Sequence, residues 1–467
     1  MQMNEIFFRP EGAWVGDCMP CYHNGIYYMY YQCDKREPKP FPNGEPFGWS
    51  LAVTENLIDF HDYGEVLHKG EHGSREHCLY AGSVIYALGK FRAFYTGECK
   101  YYLNQPDMPP KEVLMLAISD DGIHWEKQKK LSFSAPLGFE KDYFRDPFVC
   151  FSQELGKWLM LVCAQKESGP RKRKGVLLYY TSDNLENWNY EGVFCSPDMY
   201  FLLQMPDLFK IGDWWYLLFS ELDDQRRTRY RMSKSLFGPW KAPADDCVDG
   251  RCFYAARTVA VEEKRIIFGW NPTREQDDDL RMWIWGGNAV QHEIYQRKDG
   301  TLGTKMLDSV KTAISQENVQ TEHIVSLSRL DGGSEIVLKK DAADVFRIEA
   351  DVNYGTGTFG FGIKIFENSE EDLGYDFHFT PGEGSVLFDK TPNYPWFRCM
   401  NRGLSRPFKI QADETFHISL VVDHDIAVLY VNDVALNVRM TEKPGSEIKL
   451  YVHNGNVEWR NISLYEK

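Results

Sequence analysis

The sequence has no run of apolar residues near the ~18 that a membrane-crossing helix needs, and its first residues carry no basic stretch leading into an apolar one. Membrane insertion and export are therefore not expected. Positive charge is also short: 53 Lys and Arg against 68 Asp and Glu leave a net charge of -15. That balance excludes a nucleic-acid or anionic-membrane surface as the main partner and favours a neutral or small one. The 11 cysteines are odd in number and scattered through apolar segments, so no disulfide framework is expected and the thiols read as reduced, in a cytoplasmic protein. One C-x-x-C pair, Cys18-Met19-Pro20-Cys21, enters an aromatic segment with no helix start to lower a thiol pKa and no second ligand pair, so neither redox nor zinc chemistry is expected. Asp277-Asp278-Asp279 lacks the spaced oxygens of a calcium loop. The sequence thus calls for no metal and no cofactor.

Aromatic residues are abundant at 15%. Most are expected to pack between sheets, with sugar stacking reserved for Trp14, Trp49, Trp125, Tyr254 and Trp285. The aromatics also repeat. A turn followed by a near-alternating aromatic strand occurs five times: Gly25 to Gln32, Gly89 to Gly97, Gly156 to Cys163, Gly212 to Glu221 and Glu263 to Trp270. A period of ~50–65 residues with no long intervening helix predicts a five-bladed β-propeller. A second phrase, a turn ending in an aromatic, supports the period at residues 56–60, 121–125, 184–188 and 236–240.

In a propeller, the strand before each repeated phrase is innermost and its entry end faces the funnel. Those entry points carry Asp17, Gly82 and Ser83, Arg145-Asp146-Pro147, Gln204-Met205-Pro206-Asp207, and Phe253-Tyr254-Ala255-Ala256. Carboxylates facing one another across a funnel are what glycosidic bond cleavage requires. Thr273-Arg274 with Trp283 to Asn288 is expected to return the chain and close the ring, bringing Trp285 near the sugar.

The propeller is assigned to residues 1–305, and 306–325 reads as a linker with a short amphipathic helix around Met306 to Ile314. From 326 to 467 period-two alternation and Gly, Asn and Asp turns predict an antiparallel β-sandwich with a supporting role.

The order of these parts resembles glycoside hydrolase family 32, the β-fructofuranosidases, invertases, levanases and inulinases. Trp14-Val15-Gly16-Asp17 is similar to that family's Trp-Met-Asn-Asp motif, Tyr30-Tyr31-Gln32 to Phe-Tyr-Gln, and Gly48-Trp49 to its Trp-Gly segment. Ala81-Gly82-Ser83 resembles Ser-Gly-Ser, Arg145-Asp146-Pro147 matches Arg-Asp-Pro, and Phe253-Tyr254-Ala255-Ala256 is similar to Asp-Phe-Tyr-Ala. The resemblance implies retaining hydrolysis of terminal β-fructosides such as sucrose or short fructans. Asp17 would be the nucleophile, ~5–5.5 Å from the acid, and Asp146 would bind hydroxyls and stabilise the oxocarbenium-like transition state. Arg145 would keep nearby carboxylates ionised, and Gln32, Trp49, Ser83, Tyr254 and Trp285 would line a small-carbohydrate pocket.

The resemblance breaks at the general acid. Where the family has Glu-Cys-Pro, this chain has Gln204-Met205-Pro206, which keeps shape and hydrogen bonding but carries no titratable proton. Three explanations stand at this point: an introduced Glu-to-Gln replacement, natural divergence toward sugar binding or another protonation route, or Asp207 or Glu221 as the true acid. Cys252 takes the acidic position before Phe-Tyr-Ala, with Asp249 or Arg251 as replacement sugar contacts. The polar 71–78 segment reads as an ordinary loop beside the funnel, the other reading being leaving-group recognition. Arg171 to Lys174 reads as a solvated loop face, the other reading being a phosphate on an imported sugar. Two rival functions remain: a family 43-like inverting furanosidase, with carboxyls ~6.5–9.5 Å apart, and a non-catalytic sugar binder. Nothing in the sequence sets the oligomeric state.

Overall fold

A computed structural model of the chain describes residues 4–102, 107–321, 324–396 and 401–467. The fold is a five-bladed β-propeller followed by a β-sandwich. Blade one runs inner to outer through Trp14–His23, Ile26–Asp34, Trp49–Thr54 and His61–Leu67. Blade two begins at Cys78–Ala87, blade three at Phe139–Ser152, blade four at Leu203–Ile211 and blade five at Tyr254–Val261. Each of these five inner strands touches the inner strands of both neighbouring blades, which closes the ring. Trp283–Gln296 returns as expected and meets blade one at Val15 opposite Gly287.

The second repeated phrase has a common physical cause. Thr54, Ser119 and Ser182 each accept a backbone N–H three residues on, and Asn56, Asp121 and Asn184 do the same two and three residues on. These side-chain turns mimic backbone turns and tolerate the left-handed residue at Leu57, Gly122 and Leu185. The turn at 236–240 lacks the Asn or Asp, and its blade has three strands, with two isolated bridges, Arg229–Cys247 and Met232–Lys241, beyond them.

Past the propeller lies a short helix, Asp308–Ala313, with Val310 buried. The sandwich sheet begins earlier than the polar sequence suggests: Gln316–Thr321 and Val325–Lys339 both pair with the long strand Glu447–Glu466. Residues 322 and 323, inside the expected linker, lie outside the described residues. That 20-residue final strand serves both layers, pairing with Gly360–Asn368 early and Val345–Tyr354 late. Phe361, Phe377, Phe379 and Trp459 pack in the core between them.

The two units meet through buried polar contacts. Asp423 of the sandwich accepts the backbone N–H groups of Glu5, Ile6 and Phe7. Arg406 reaches Asp245 and the Cys247 carbonyl. Arg439 donates to the Asn271 side chain, the Pro272 carbonyl and Asn288, and pairs with Asp425. Removing a cation from such a network strands its acceptors, so Arg439→Met is expected to cost about 3–5 kcal/mol in urea unfolding. An unchanged midpoint would show the network to be dispensable.

Candidate active site

All five inner strands carry a β-bulge at the funnel end, at Val15/Cys18, Tyr80/Gly82, Arg145/Phe148, Gln204/Asp207 and Tyr254/Arg257. A bulge breaks the strict alternation of a strand and re-aims side chains. Three bulge residues that are not glycine hold positive φ: Asp146 at 58°, Met205 at 50° and Ala255 at 53°. Such conformations cost energy and persist where the surroundings enforce them.

The bulges gather Asp17, Asp146 and Gln204 into one arc of contacts. The Trp270 indole N–H donates to Asp17 Oδ1 at 2.9 Å. Trp270 meets the Tyr254 ring edge-on at 5.4 Å. The Tyr254 hydroxyl shares its one proton between Gln204 Oε1 and the Glu221 carbonyl, each at 3.1 Å. Met205, next along from Gln204, donates its N–H to Asp146 Oδ2 at 3.1 Å. Burial, and then the charge of Asp146, pushes the Asp17 pKa up to about 7 against the opposing effects of Trp270 and Arg257.

Asp146 is raised too, chiefly by burial, with Arg145 opposing. Arg145 therefore does not leave its neighbour with a low pKa, as expected from the sequence. Its guanidinium is taken up by Glu112, donating to both carboxylate oxygens. Burial alone would lower the Arg145 pKa, but Glu112 and Tyr80 outweigh it and hold the cation.

A residue missed in the sequence completes the electrostatics. Arg257 is 2% exposed. It donates to the Asp146 and Pro147 carbonyls and faces Asp146, Asp207 and Asp17. Burial lowers its pKa to about 10, which leaves it charged at neutral pH. It sits three residues past Tyr254 in a segment that reads as strand core, so no local pattern marked it.

Other expected pocket residues are placed differently. Gln32 donates to the Leu79 carbonyl and Trp49 to the Tyr80 carbonyl, both buried cross-blade bonds. Ser83 accepts the Val149 N–H. Trp125 packs edge-on against Tyr30, and Trp14 lies under the Arg36 guanidinium at 3.8 Å. None of these five lines the cavity at the funnel mouth, whereas Tyr254, Trp270 and Trp285 do. Trp285 occupies the space a Cβ at Gly16 would need, 1.9 Å from its nearest ring atom, and stacks on Phe47. The indole thus replaces the side chain that Gly16 lacks.

The proposed substitute acids are engaged elsewhere. Glu221 is fully buried and accepts the N–H groups of Asp224, Gln225 and Arg227. Asp207 is buried and accepts the Thr258 N–H at 2.6 Å; like Asp17, Asp146 and Gln204, it lies beneath the residues that line the cavity. Asp249 bonds His292 and the Asn437 N–H across the domain interface, so it is no sugar contact. Cys252 is buried in the sandwich core cluster. Asp279 accepts from Tyr375 and Lys390 of the sandwich.

The cavity has a volume of 590 Å³. Beyond its aromatic floor, Arg171, Lys172, Arg226 and Arg251 line it, with Asp223 and Asp224 as the opposing carboxylates. Asp224 is paired with Arg229 and Arg402. Within the RKRK run, Arg173 and Lys174 are tied to Asp198 and Glu140, while Arg171 and Lys172 form no ion pair among the described residues.

The model of the "Glycosyl hydrolases family 32 N-terminal domain" matches residues 7–298. The chain belongs to glycosyl hydrolase family 32. It is a glycoside hydrolase of the β-fructofuranosidase type, and the family 43-like reading falls. This family 32 chain is 27% identical over 321 residues to a raffinose invertase of Escherichia coli, an alignment covering 65% of this chain and 64% of that protein. It is 28% identical over 483 residues to a sucrose-6-phosphate hydrolase of Escherichia coli, covering 98% of this chain and 93% of the relative. Among solved structures, sucrose-6-phosphate hydrolase from Lactobacillus gasseri superposes with a TM-score of 0.77 at 17% identity, covering 100% of this chain and 93% of the other.

Proposed function

We propose that the chain binds the β-fructofuranosyl unit of its substrate over the Trp270–Tyr254 floor and transfers it to Asp17. The arc Asp17, Trp270, Tyr254, Gln204, Met205, Asp146 carries this reading, since it lines up a nucleophile, a second carboxylate and a hydrogen-bonding group at one funnel mouth. Asp17 attacks the anomeric carbon, and Asp146 stabilises the positive charge that develops there. Because the Tyr254 hydroxyl fills Gln204 Oε1, the Gln204 amide N–H faces the departing oxygen and holds it without protonating it. Residues 1–305 do this chemistry and residues 326–467 brace it. Ten described cysteines are free, which suits a reducing, cytoplasmic setting.

The experiment is to trap the fructosyl unit on Asp17 with para-nitrophenyl β-fructofuranoside, whose leaving group needs no proton, and to map the adduct by mass spectrometry. Asp17→Ala is the blank. No adduct and no nitrophenol release would overturn the reading.

The Asp17 pKa near 7 sets the pH dependence. Attack requires the carboxylate, so kcat/KM for the activated donor is expected to rise with pH through about 7 and then level off. Stability runs the other way. Between the ordinary Asp range and about 7 the folded state holds a proton that the unfolded chain has released, so this group's stabilising contribution falls as pH rises across that window. A profile flat across pH 5.5–8 (roughly, one to two units about the pKa) would show that Asp17 is not the titrating nucleophile.

Gln204 also supports a second reading, sugar binding without turnover. Calorimetric affinity for sucrose with no activity on the activated donor would favour it.

A further inference from the structure

Two features of the site have no account in a reaction on ordinary fructosides. The seat beside the departing oxygen holds an amide, and the cavity above it is lined by four cations in a chain of net charge -15. An alkoxide leaving group requires a proton, because its conjugate acid is very weak, and nothing in Gln204 supplies one. Asp223 lines the cavity, and it and Asp207 each keep one buried oxygen without a partner, whereas Glu221 and the other Asp207 oxygen are held by backbone N–H groups. Cations placed where a leaving group sits stabilise departing negative charge instead of neutralising it with a proton. A Glu at 204 would return to its carboxylate and repel such an anion, and Gln avoids that repulsion.

We propose that the leaving group is itself an anion, and that the substrate is a β-fructofuranosyl phosphate ester carrying its phosphate on the anomeric oxygen. This rests on the β-fructosyl transfer to Asp17 described above. Arg226 makes no ion pair among the described residues, and Arg251, which also lines the cavity, lies over the Trp283 ring at 5.4 Å. Arg171 and Lys172 reach the same cavity from the blade-three loop. Arginine suits this task because its planar fork matches phosphate oxygens.

The step balances without a protein acid. Asp17 Oδ forms a bond to the anomeric carbon of the ester monoanion as the carbon–oxygen bond breaks, and the electron pair leaves on the bridging oxygen as hydrogen phosphate dianion. A water then attacks the same carbon, the bond to Asp17 breaks, and its electron pair restores the carboxylate. The water's proton passes to the hydrogen phosphate still held by the cations. The products are fructose and dihydrogen phosphate.

The test measures three donors on the full chain: β-fructofuranose 2-phosphate followed by phosphate release, sucrose, and para-nitrophenyl β-fructofuranoside. The expected result is a kcat/KM for the phosphate ester about 10²-fold or more above that for sucrose, removed by Asp17→Ala. Arg226→Gln with Arg251→Gln is expected to lower the phosphate-ester value at least ~10-fold more than the nitrophenyl value. Gln204→Glu is expected to raise sucrose turnover and lower that of the ester. Turnover of the nitrophenyl donor without preference for the phosphate ester overturns this proposal and leaves β-fructosyl transfer standing. Arginine variants that slow both activated donors alike overturn it as well. Failure of all three donors, with no adduct on Asp17, overturns both.

Discussion

Gln204→Glu is expected to raise sucrose hydrolysis by about 10²–10⁴-fold, the usual worth of a positioned general acid. The surroundings for that acid are in place: the Tyr254 hydroxyl already contacts the side-chain oxygen, and the preceding strand residue Leu203 is fully buried and fixes the backbone. The bulge that aims position 204 is built from Met205 and Pro206, which the substitution does not touch. The pH profile should change shape with the rate. The native chain gives one ascending limb from Asp17, whereas the variant adds a descending limb from the new carboxyl, producing a bell. A variant that binds sucrose but gains no rate would mean that position 204 does not face the departing oxygen.

Arg257→Met carries the second large effect, through its neighbours. The guanidinium faces Asp17, Asp146 and Asp207, and it donates to the carbonyls that shape the Asp146 bulge. Without it the carboxylates lose the cation that favours their charged forms, so the ascending limb should move up by about 1–3 pH units. At neutral pH kcat/KM should then fall at least ~5-fold. The structure should also weaken by about 3–5 kcal/mol, because buried charges are left uncompensated. Arg257→Lys, which keeps the charge and loses the paired hydrogen bonds, should retain the native limb. A limb that stays in place in Arg257→Met while stability drops would reduce Arg257 to a packing role.

Gly16 illustrates how a departure in sequence can be absorbed by the fold. The resemblance places a longer polar side chain there, and read alone its loss implies missing sugar contacts. In the structure the Trp285 ring fills that volume, arriving from a strand some 270 residues later. Gln32, Trp49 and Ser83 show the converse. Their types and positions fit a sugar pocket, yet their polar atoms are spent on neighbouring blades. Composition reveals that a polar group will be satisfied, but not by which partner.

By itself the sequence determined the architecture, because aromatic alternation, turn chemistry and a fixed period are local properties that repeat wherever the same unit is built. It also placed Asp17, Asp146 and Gln204 at equivalent ends of repeated strands, where the proposed chemistry needs them. Only the tertiary structure decided how those groups are charged and what faces them. Arg257 and Trp285 lie on the first and third strands of blade five, and the cations of the cavity come from loops of blades three and four and from the approach to blade five. The effects of Arg257 and Trp285 on Asp17 depend on burial and through-space distance, which no stretch of sequence encodes.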